Sequence, residues 1–469
     1  MSEPASQRMS GLPQMPDDPN RRRDQRAWCW YDWANSVFPT SIVTVFGSMY
    51  LTTVARNDAL ATGQSCFTRN ALIKCDISLF GLVIPAGSLF DYLLAGSTLL
   101  QVVVLPLTGA IADRTQHKRR MLGLFAFTGA AATALLALVT GTNWRLGVLL
   151  FIVATTGYYA SLVIYYSVLP EIATPDERDR LSARGWAWGY LGGGLALAFN
   201  LATYVGRDAL GLSESAAVRI CFVTAGAWWA AFSLIPLARM RSYQPPQGGE
   251  RGLRLLTAGF RQLAGTLRNA RAYPLTLLFL VAYLIYTEGI STVASIAGQY
   301  GDLELGLARG TLIGTILMVQ FVAFAGALAH GWVARRFGAK RTIMGSLLVW
   351  VGVIVAAYFI RAGDQLQFLL VAVGIGLVLG GTNALSRSLF SQLVPAGKEA
   401  EYFSVYEIGE QATSTVGPLL FGLIGAATGS FRPAILSLVG FFVVGLGLLS
   451  LLPVRRAIRA VGNPDPAVV

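Results

Sequence analysis

The sequence predicts an all-α polytopic membrane protein, with twelve transmembrane helices in two pseudo-symmetric six-helix halves. Three observations carry this. Hydrophobic residues make up 54% of the 469 and charged residues only 13%, which excludes a soluble chain of two or three domains. Windows of about 20 residues, punctuated by Pro, Gly and charge, give twelve runs long enough to cross hydrocarbon. The chain also repeats itself weakly: Leu169-Pro170 to Gly192 matches Val394-Pro395 to Gly417 at one constant offset, as internal duplication produces.

The spans run 28–53, 87–112, 121–140, 147–170, 183–206 and 217–237, then 273–298, 308–334, 341–361, 366–393, 402–426 and 432–453. Each should be helical, because in hydrocarbon the backbone satisfies its own hydrogen bonds and nothing here alternates like a barrel strand. The domains are then a tail 1–27, a half 28–237, a linker 238–272, a half 273–453 and a tail 454–469. Net charge +12 is spread between apolar runs, so it speaks for orientation and against nucleic acid as a partner. Lys and Arg on the tails and the even-to-odd connections outnumber those on the opposite side roughly threefold, placing both termini in the cytoplasm. That predicts a multi-pass protein of the cytoplasmic (inner) membrane, in contact with the lipid bilayer and without a cleaved signal peptide. In the linker, Leu253, Leu256, Phe260, Leu263 and Leu267 recur opposite Arg254, Arg261 and Arg268. This reads as an amphipathic helix on the membrane surface, or else a regulatory site.

Between spans two and three lies Pro106-Leu-Thr-Gly-Ala-Ile-Ala-Asp-Arg-Thr-Gln-His-Lys-Arg-Arg120. Gly109, Asp113, Arg114 and Lys118 resemble the G-x-x-x-D-R-x-G-R-[RK] pattern of the major facilitator superfamily, with Gln116 in place of the usual Gly, His117 in place of the first basic residue, and Arg119 following in the same basic latch cluster. The resemblance implies that Asp113 latches the halves by meeting an opposing helix N-terminus, here around Glu401 to Tyr406, where amides and dipole favour a carboxylate. The alternative is a topogenic signal only. A second copy, Gly331 to Arg341, has Arg335 in place of the acid, so the latch should be one-sided.

Other membrane charges mark candidate sites. Asp32 and Asn35 share a face of the first helix, where Trp28, Trp30, Tyr31 and Trp33 suit an interfacial belt. Taken from the hydropathy onset, Asp32 lies about 6 Å in, as a cavity or proton site or as a shallow gate. Glu288, flanked by Tyr283 and Tyr286, is deeper: a proton carrier, or a hydrogen-bonded core acid. Arg387 with Glu407 and Glu410 reads as an ion-pair gate. Cys66 and Cys75 share one polar loop and either pair or stay free thiols. There is no G-x-x-x-x-G-K-[ST] loop, and two histidines are too few for a histidine-based metal site. No enzyme activity, cofactor or metal is expected, and energy should come from an ion or substrate gradient.

Tyr31-Asp-Trp-Ala-Asn-Ser36, Pro106 to Arg114, Leu169-Pro-Glu-Ile172, Arg180 to Gly193, Tyr283 to Thr292 and Arg387 to Pro395 together resemble the bacterial branch of the vacuole-effluxer (autophagy-related amino-acid effluxer) family within that superfamily. The resemblance implies a secondary active transporter of small metabolites, amino acids foremost. We expect proton-coupled export by a monomer. Glu288 stands where that family usually shows Asp. The alternatives are a lipid or hydrophobic-drug exporter, favoured by Tyr158, Tyr159, Tyr165, Tyr166, Trp186 and Trp188, and a non-transporting receptor or scaffold.

Overall fold

The structure, a computed structural model, describes residues 19–69, 72–79, 81–241 and 272–469. The first span is one long helical run: α1 (Pro19–Asn35), a π-helical stretch (Phe38–Gly47) and α2 (Ser48–Ala61). Pro39 brings no N–H to the ladder. Hydroxyls help satisfy the widened turns, Thr40 donating to the Ser36 carbonyl at 2.6 Å and Thr44 to that of Pro39 at 2.8 Å. The expected start at residue 28 is too late. The polar turns before it pair with protein, Asp24 with Arg241 at 2.9 Å and Arg21 with Glu177 at 3.3 Å. The aromatic belt is also corrected: Trp28 and Tyr31 are wholly buried, because residues 100° apart on a helix cannot all face one interface.

After α2 the polar loop holds two antiparallel hairpins, β1 (Phe67–Arg69) with β2 (Leu72–Lys74) and β3 (Asp76–Leu79) with β4 (Leu82–Pro85). The sulfurs of Cys66 and Cys75 are bonded, with Cα atoms 4.9 Å apart. Replacing both with serine is expected to loosen this cap alone, since a short crosslink contributes about 2–3 kcal/mol. Limited proteolysis should then nick the hairpins while leaving the helices intact.

The first half continues with α3 (Leu89–Arg114), α4 (Lys118–Leu135), α5 (Trp144–Ser167), short α6 (Leu169–Ile172), α7 (Pro175–Val205) and α8 (Glu214–Arg239). The second contains α9 (Pro274–Gln299), α10 (Arg309–Phe337), α11 (Ala339–Tyr358), α12 (Gln365–Gln392), α13 (Glu399–Thr413), α14 (Val416–Thr428), α15 (Phe431–Ser437), α16 (Val439–Ser450) and α17 (Val454–Ala460). The linker helix expected around Leu253 to Arg268 lies outside the described residues.

Among the described residues, ten helices are long and apolar enough to cross a membrane. α7 and the broken pair α13–α14 take the places of the other two expected spans. Both carry too much charge for hydropathy to find their true ends. α7 starts at Pro175 rather than near 183, with a capping box in which the Thr174 N–H donates to Glu177. Its charged opening turns face protein: Arg178 donates to the Ser391 carbonyl at 2.9 Å and Asp179 accepts from Ser388 at 2.6 Å.

The described residues begin and end at one end of the bundle, since Arg21 meets Glu177 and the Ala467 N–H donates to neighbouring Asp176. The hairpins mark the opposite end. Among the described residues, hydrogen bonds between halves join residues 32, 113 and 176–182 to 384–401 and 467, and Tyr159 and Tyr190 meet Gln411 and Asn383 nearer the middle of the bundle. None joins the halves at the hairpin end. The apolar core agrees: the cluster shared by both halves takes its first-half members from the termini end, whereas the buried members of the hairpin-end cluster all come from the first half, with partly buried Ile316 and Leu317 of the second half packed against it. The bundle is closed at the end that carries its termini.

Candidate functional site at the interface between the halves

Asp113 sits in the last turn of α3, buried against the start of α13. Its two oxygens accept from the Ala400 and Glu401 amides, both at 2.9 Å, so one carboxylate satisfies two of the N–H groups a helix leaves unpaired at its start. Gly109, one turn earlier, makes this possible. A Cβ there would stand 2.5 Å from the Ala400 carbonyl oxygen. Lys118 approaches Asp113 at 3.8 Å and donates to Glu171 at 2.6 Å. Arg114 is half-buried beside them. Arg119 does not reach the other half: it donates to the Met240 carbonyl at 2.8 Å, just past α8.

The second cross-half contact is a buried ion pair. Arg387 on α12 donates through both terminal nitrogens to one oxygen of Asp32 on α1, at 3.2 Å each, and the Tyr165 hydroxyl donates to that same oxygen at 2.7 Å. Arg387 also donates to the Ser182 hydroxyl at 2.9 Å and carbonyl at 3.0 Å. Four rings surround the guanidinium, Trp28 at 4.7 Å, Tyr166 at 4.8 Å, Tyr165 at 5.5 Å and Trp186 at 5.6 Å from its centre, which compensates part of the cost of removing it from water. Gly185 leaves the room, because a Cβ would lie 2.5 Å from Asp32 Oδ2.

Two expectations are overturned here. Asp32 is not shallow: the helix begins at Pro19, which places it about 20 Å along at 1.5 Å per residue, and it is buried. Arg387 does not pair with Glu407 or Glu410. Glu407 lies within electrostatic reach of the guanidinium but forms no ion pair with it, while Glu410 accepts from the Tyr283 hydroxyl at 2.5 Å. Neither acid has a cation partner among the described residues. They stand one turn apart on α13, where Tyr406 stacks on Tyr283 with centroids 4.0 Å apart and also meets Tyr166 of the first half.

Glu288 is a hydrogen-bonded acid of the core. Its Oε1 accepts from the Gly417 amide at 2.5 Å and from Thr292 at 3.2 Å, so it caps α14 at the break in the eleventh span. Its Oε2 has no hydrogen-bond partner. A Cβ at Gly417 would overlap Thr292 Oγ1 and crowd Glu288. Gly417→Ala is therefore expected to cost about 1–3 kcal/mol by overpacking, read as a fall in the melting midpoint of the purified protein. Tyr286 shares a hydrogen bond with Ser386 at 2.5 Å, and Asn35 is buried with its Nδ2 unpartnered. Among the described residues no His, Cys, Asp or Glu cluster is placed to hold a metal.

A sequence model of the family described as "Vacuole effluxer Atg22 like" matches residues 20–462. The chain belongs to this family. It is 29% identical over 436 residues to the MFS-type transporter YxiO of Bacillus subtilis, covering 92% of this chain and 95% of YxiO. It is 26% identical over 468 residues to autophagy-related protein 22 of Yarrowia lipolytica, covering 81% and 78%. The fold is that of the major facilitator superfamily. The human organic anion transporter MFSD10 superposes with a TM-score of 0.65 at 14% identity, covering 92% of this chain and 100% of that one, and the proton:xylose symporter XylE with 0.65 at 13%, covering 92% and 95%. This member of the Atg22-like family is thus a multi-pass membrane transporter of the MFS type.

Sequence reasoning missed Tyr165, Ser182 and Gly185 as the surroundings of the buried Asp32–Arg387 pair. Arg180 to Gly193 was legible as a family segment, but nothing local in it says which residue meets a charge more than 200 positions away.

Proposed function

We propose that this protein exports small zwitterionic metabolites, amino acids foremost, across the cytoplasmic membrane by proton-coupled alternating access, with both termini in the cytoplasm. The observation that carries this is the charge pattern at the closed interface: one guanidinium held across the halves by Asp32, beside two carboxylates, Glu407 and Glu410, that lack a cation. A zwitterion matches it, carboxylate to Arg387 and ammonium to the acids. An arriving carboxylate would compete with Asp32 for the guanidinium fork and so loosen one of the bonds that close the termini end. Two carboxylates one turn apart repel, and a proton between them relieves the repulsion, giving a route for coupling. Asp113 of α3, held on the start of α13, is the latch of this cycle, and Glu288 supports the broken helix that carries the acids. The rings of Trp30, Trp33, Trp188 and Trp228 pack on one another at 5.0–5.6 Å, so aromatic content here is accounted for by packing.

The test is flux in proteoliposomes with labelled leucine and tyrosine, with and without a pH gradient, for wild type, Glu407→Gln and Glu410→Gln. Gradient-dependent amino-acid flux that loses its pH response in the variants supports the reading. Flux restricted to lysolipids or hydrophobic drugs moves the assignment to a lipid or drug exporter, and amino-acid flux indifferent to the gradient removes the coupling.

A further inference from the structure

Five cations gather where α11 begins and α16 turns into α17. They line a cavity of about 1000 Å³: Lys340 and Arg341 from α11, and Arg455, Arg456 and Arg459 from α17. Two carboxylates stand among them, that of Asp465 and that of Val469, which also lines the cavity. Arg459 pairs with Asp465 at 2.6 Å, and Lys340 is turned onto the Ser450 and Leu452 carbonyls at 2.9 and 2.8 Å, satisfying groups that the end of α16 leaves open. Arg341, Arg455 and Arg456 are exposed and have no ion pair or hydrogen bond among the described residues. Like charges held this close, on helices whose apolar faces are buried through Ile343, Ala457 and Ile458, favour a bound anion.

The surroundings specify the class of anion. Lys340, Met344 and Leu348 follow one another on a single face of α11, at successive turns. That face passes from cation through half-buried Met344 to Leu348, 60% exposed, within about 12 Å. Beside the cavity, Leu451 is 71% exposed just before the turn into α17. Charge giving way to exposed aliphatic surface over one or two turns is the profile of a bilayer between headgroups and acyl chains. A free anion would use only the charged part.

We propose that this cavity binds the phosphodiester headgroup of an anionic phospholipid, with its acyl chains along the exposed face of α11. The site lies away from the Asp32–Arg387 interface and does not depend on which solute is carried. Lipid held there would tie α11 to α17 without bridging the halves, so its removal should alter stability more than substrate recognition.

The experiment uses the full-length protein in phosphatidylcholine nanodiscs with and without phosphatidylglycerol. Retained lipid is read by native mass spectrometry and stability by thermal melting, with inorganic phosphate as a separate arm. Wild type should retain phosphatidylglycerol and melt higher with it, and phosphate alone should do neither. In R341Q/R455Q/R456Q the affinity for phosphatidylglycerol should fall at least about tenfold, on the basis of about 1 kcal/mol, or fivefold, per basic side chain near the surface, while melting in pure phosphatidylcholine stays unchanged. If the triple variant does not fold, R341Q and R455Q singly should each lose about fivefold. Equal phosphatidylglycerol retention in the variants overturns the proposal. So does equal stabilisation by inorganic phosphate, which would make this a free-anion site.

Discussion

Arg387→Met is expected to abolish transport and to lower stability by about 3–5 kcal/mol, because it strands Asp32 in a buried setting with its charge uncompensated. The Tyr165 hydroxyl would remain as a single neutral donor to that carboxylate. Truncation also empties a space packed by four rings. The informative comparison is the double variant Asp32→Asn with Arg387→Met. Removing both charges should restore most of the stability, since replacing a buried pair by neutral groups is often nearly neutral, but transport should stay absent if the guanidinium receives the substrate carboxylate. Arg387→Lys keeps the charge and loses the fork that spans Asp32 and Ser182; it should fold and transport poorly. Melting midpoints and proteoliposome flux on the four proteins decide this. A double variant that transports at the wild-type rate would show the pair to be packing alone.

Asp113→Ala is expected to open the termini end. The carboxylate holds two amides at 2.9 Å and receives no comparable hydrogen bond from its own half, Lys118 standing at 3.8 Å. Charge-assisted bonds of this kind contribute about 1.5–3 kcal/mol each, part of which water recovers when the interface parts. A net loss of about 2–3 kcal/mol shifts a two-state equilibrium roughly thirty- to more than a hundredfold. Spin labels at exposed Arg120 on α4 and exposed Ala396 just before α13 should report a long-distance population that wild type lacks. Asp113→Asn, which keeps one acceptor oxygen, should fall between them. An unchanged distance distribution in Asp113→Ala would leave the motif as a charge signal for membrane insertion.

Candidate residues were legible to different degrees, and the difference follows from the range of the interactions. Asp113 stood out because a short loop holds Gly109, the acid and its basic companions at fixed spacing, and even its target, the start of α13, could be placed within a few residues. The acid of α1 was visible as a charge in an apolar run, but its depth was misjudged because hydropathy marks where lipid-facing character begins, and the turns from Pro19 to Arg26 face protein. Glu288 read either as a proton carrier or as a hydrogen-bonded core acid, and the structure shows its hydrogen bonds. It caps a helix whose break Gly417-Pro418 marks, since Pro418 has no N–H for the carbonyl four residues earlier. The acids at 407 and 410 were paired with Arg387 on the grounds of sign and proximity in sequence. In the fold the guanidinium turns the other way, to a carboxylate 355 positions distant.

By itself the sequence determined the class of this protein and where its apolar runs lie. In hydrocarbon each backbone N–H must find a carbonyl four residues away, so a span is a local property of some twenty residues. It also determined the twofold repeat and the position of Asp113 at the mouth between the halves. Only the tertiary structure decided which buried charge answers which, because a carboxylate and a guanidinium in low dielectric are stable only where packing brings them together and completes their hydrogen bonds. Gly109, Gly185 and Gly417 permit those approaches. Each is unremarkable in sequence, and each lies where a single added methyl would push a carbonyl, a carboxylate or a hydroxyl aside.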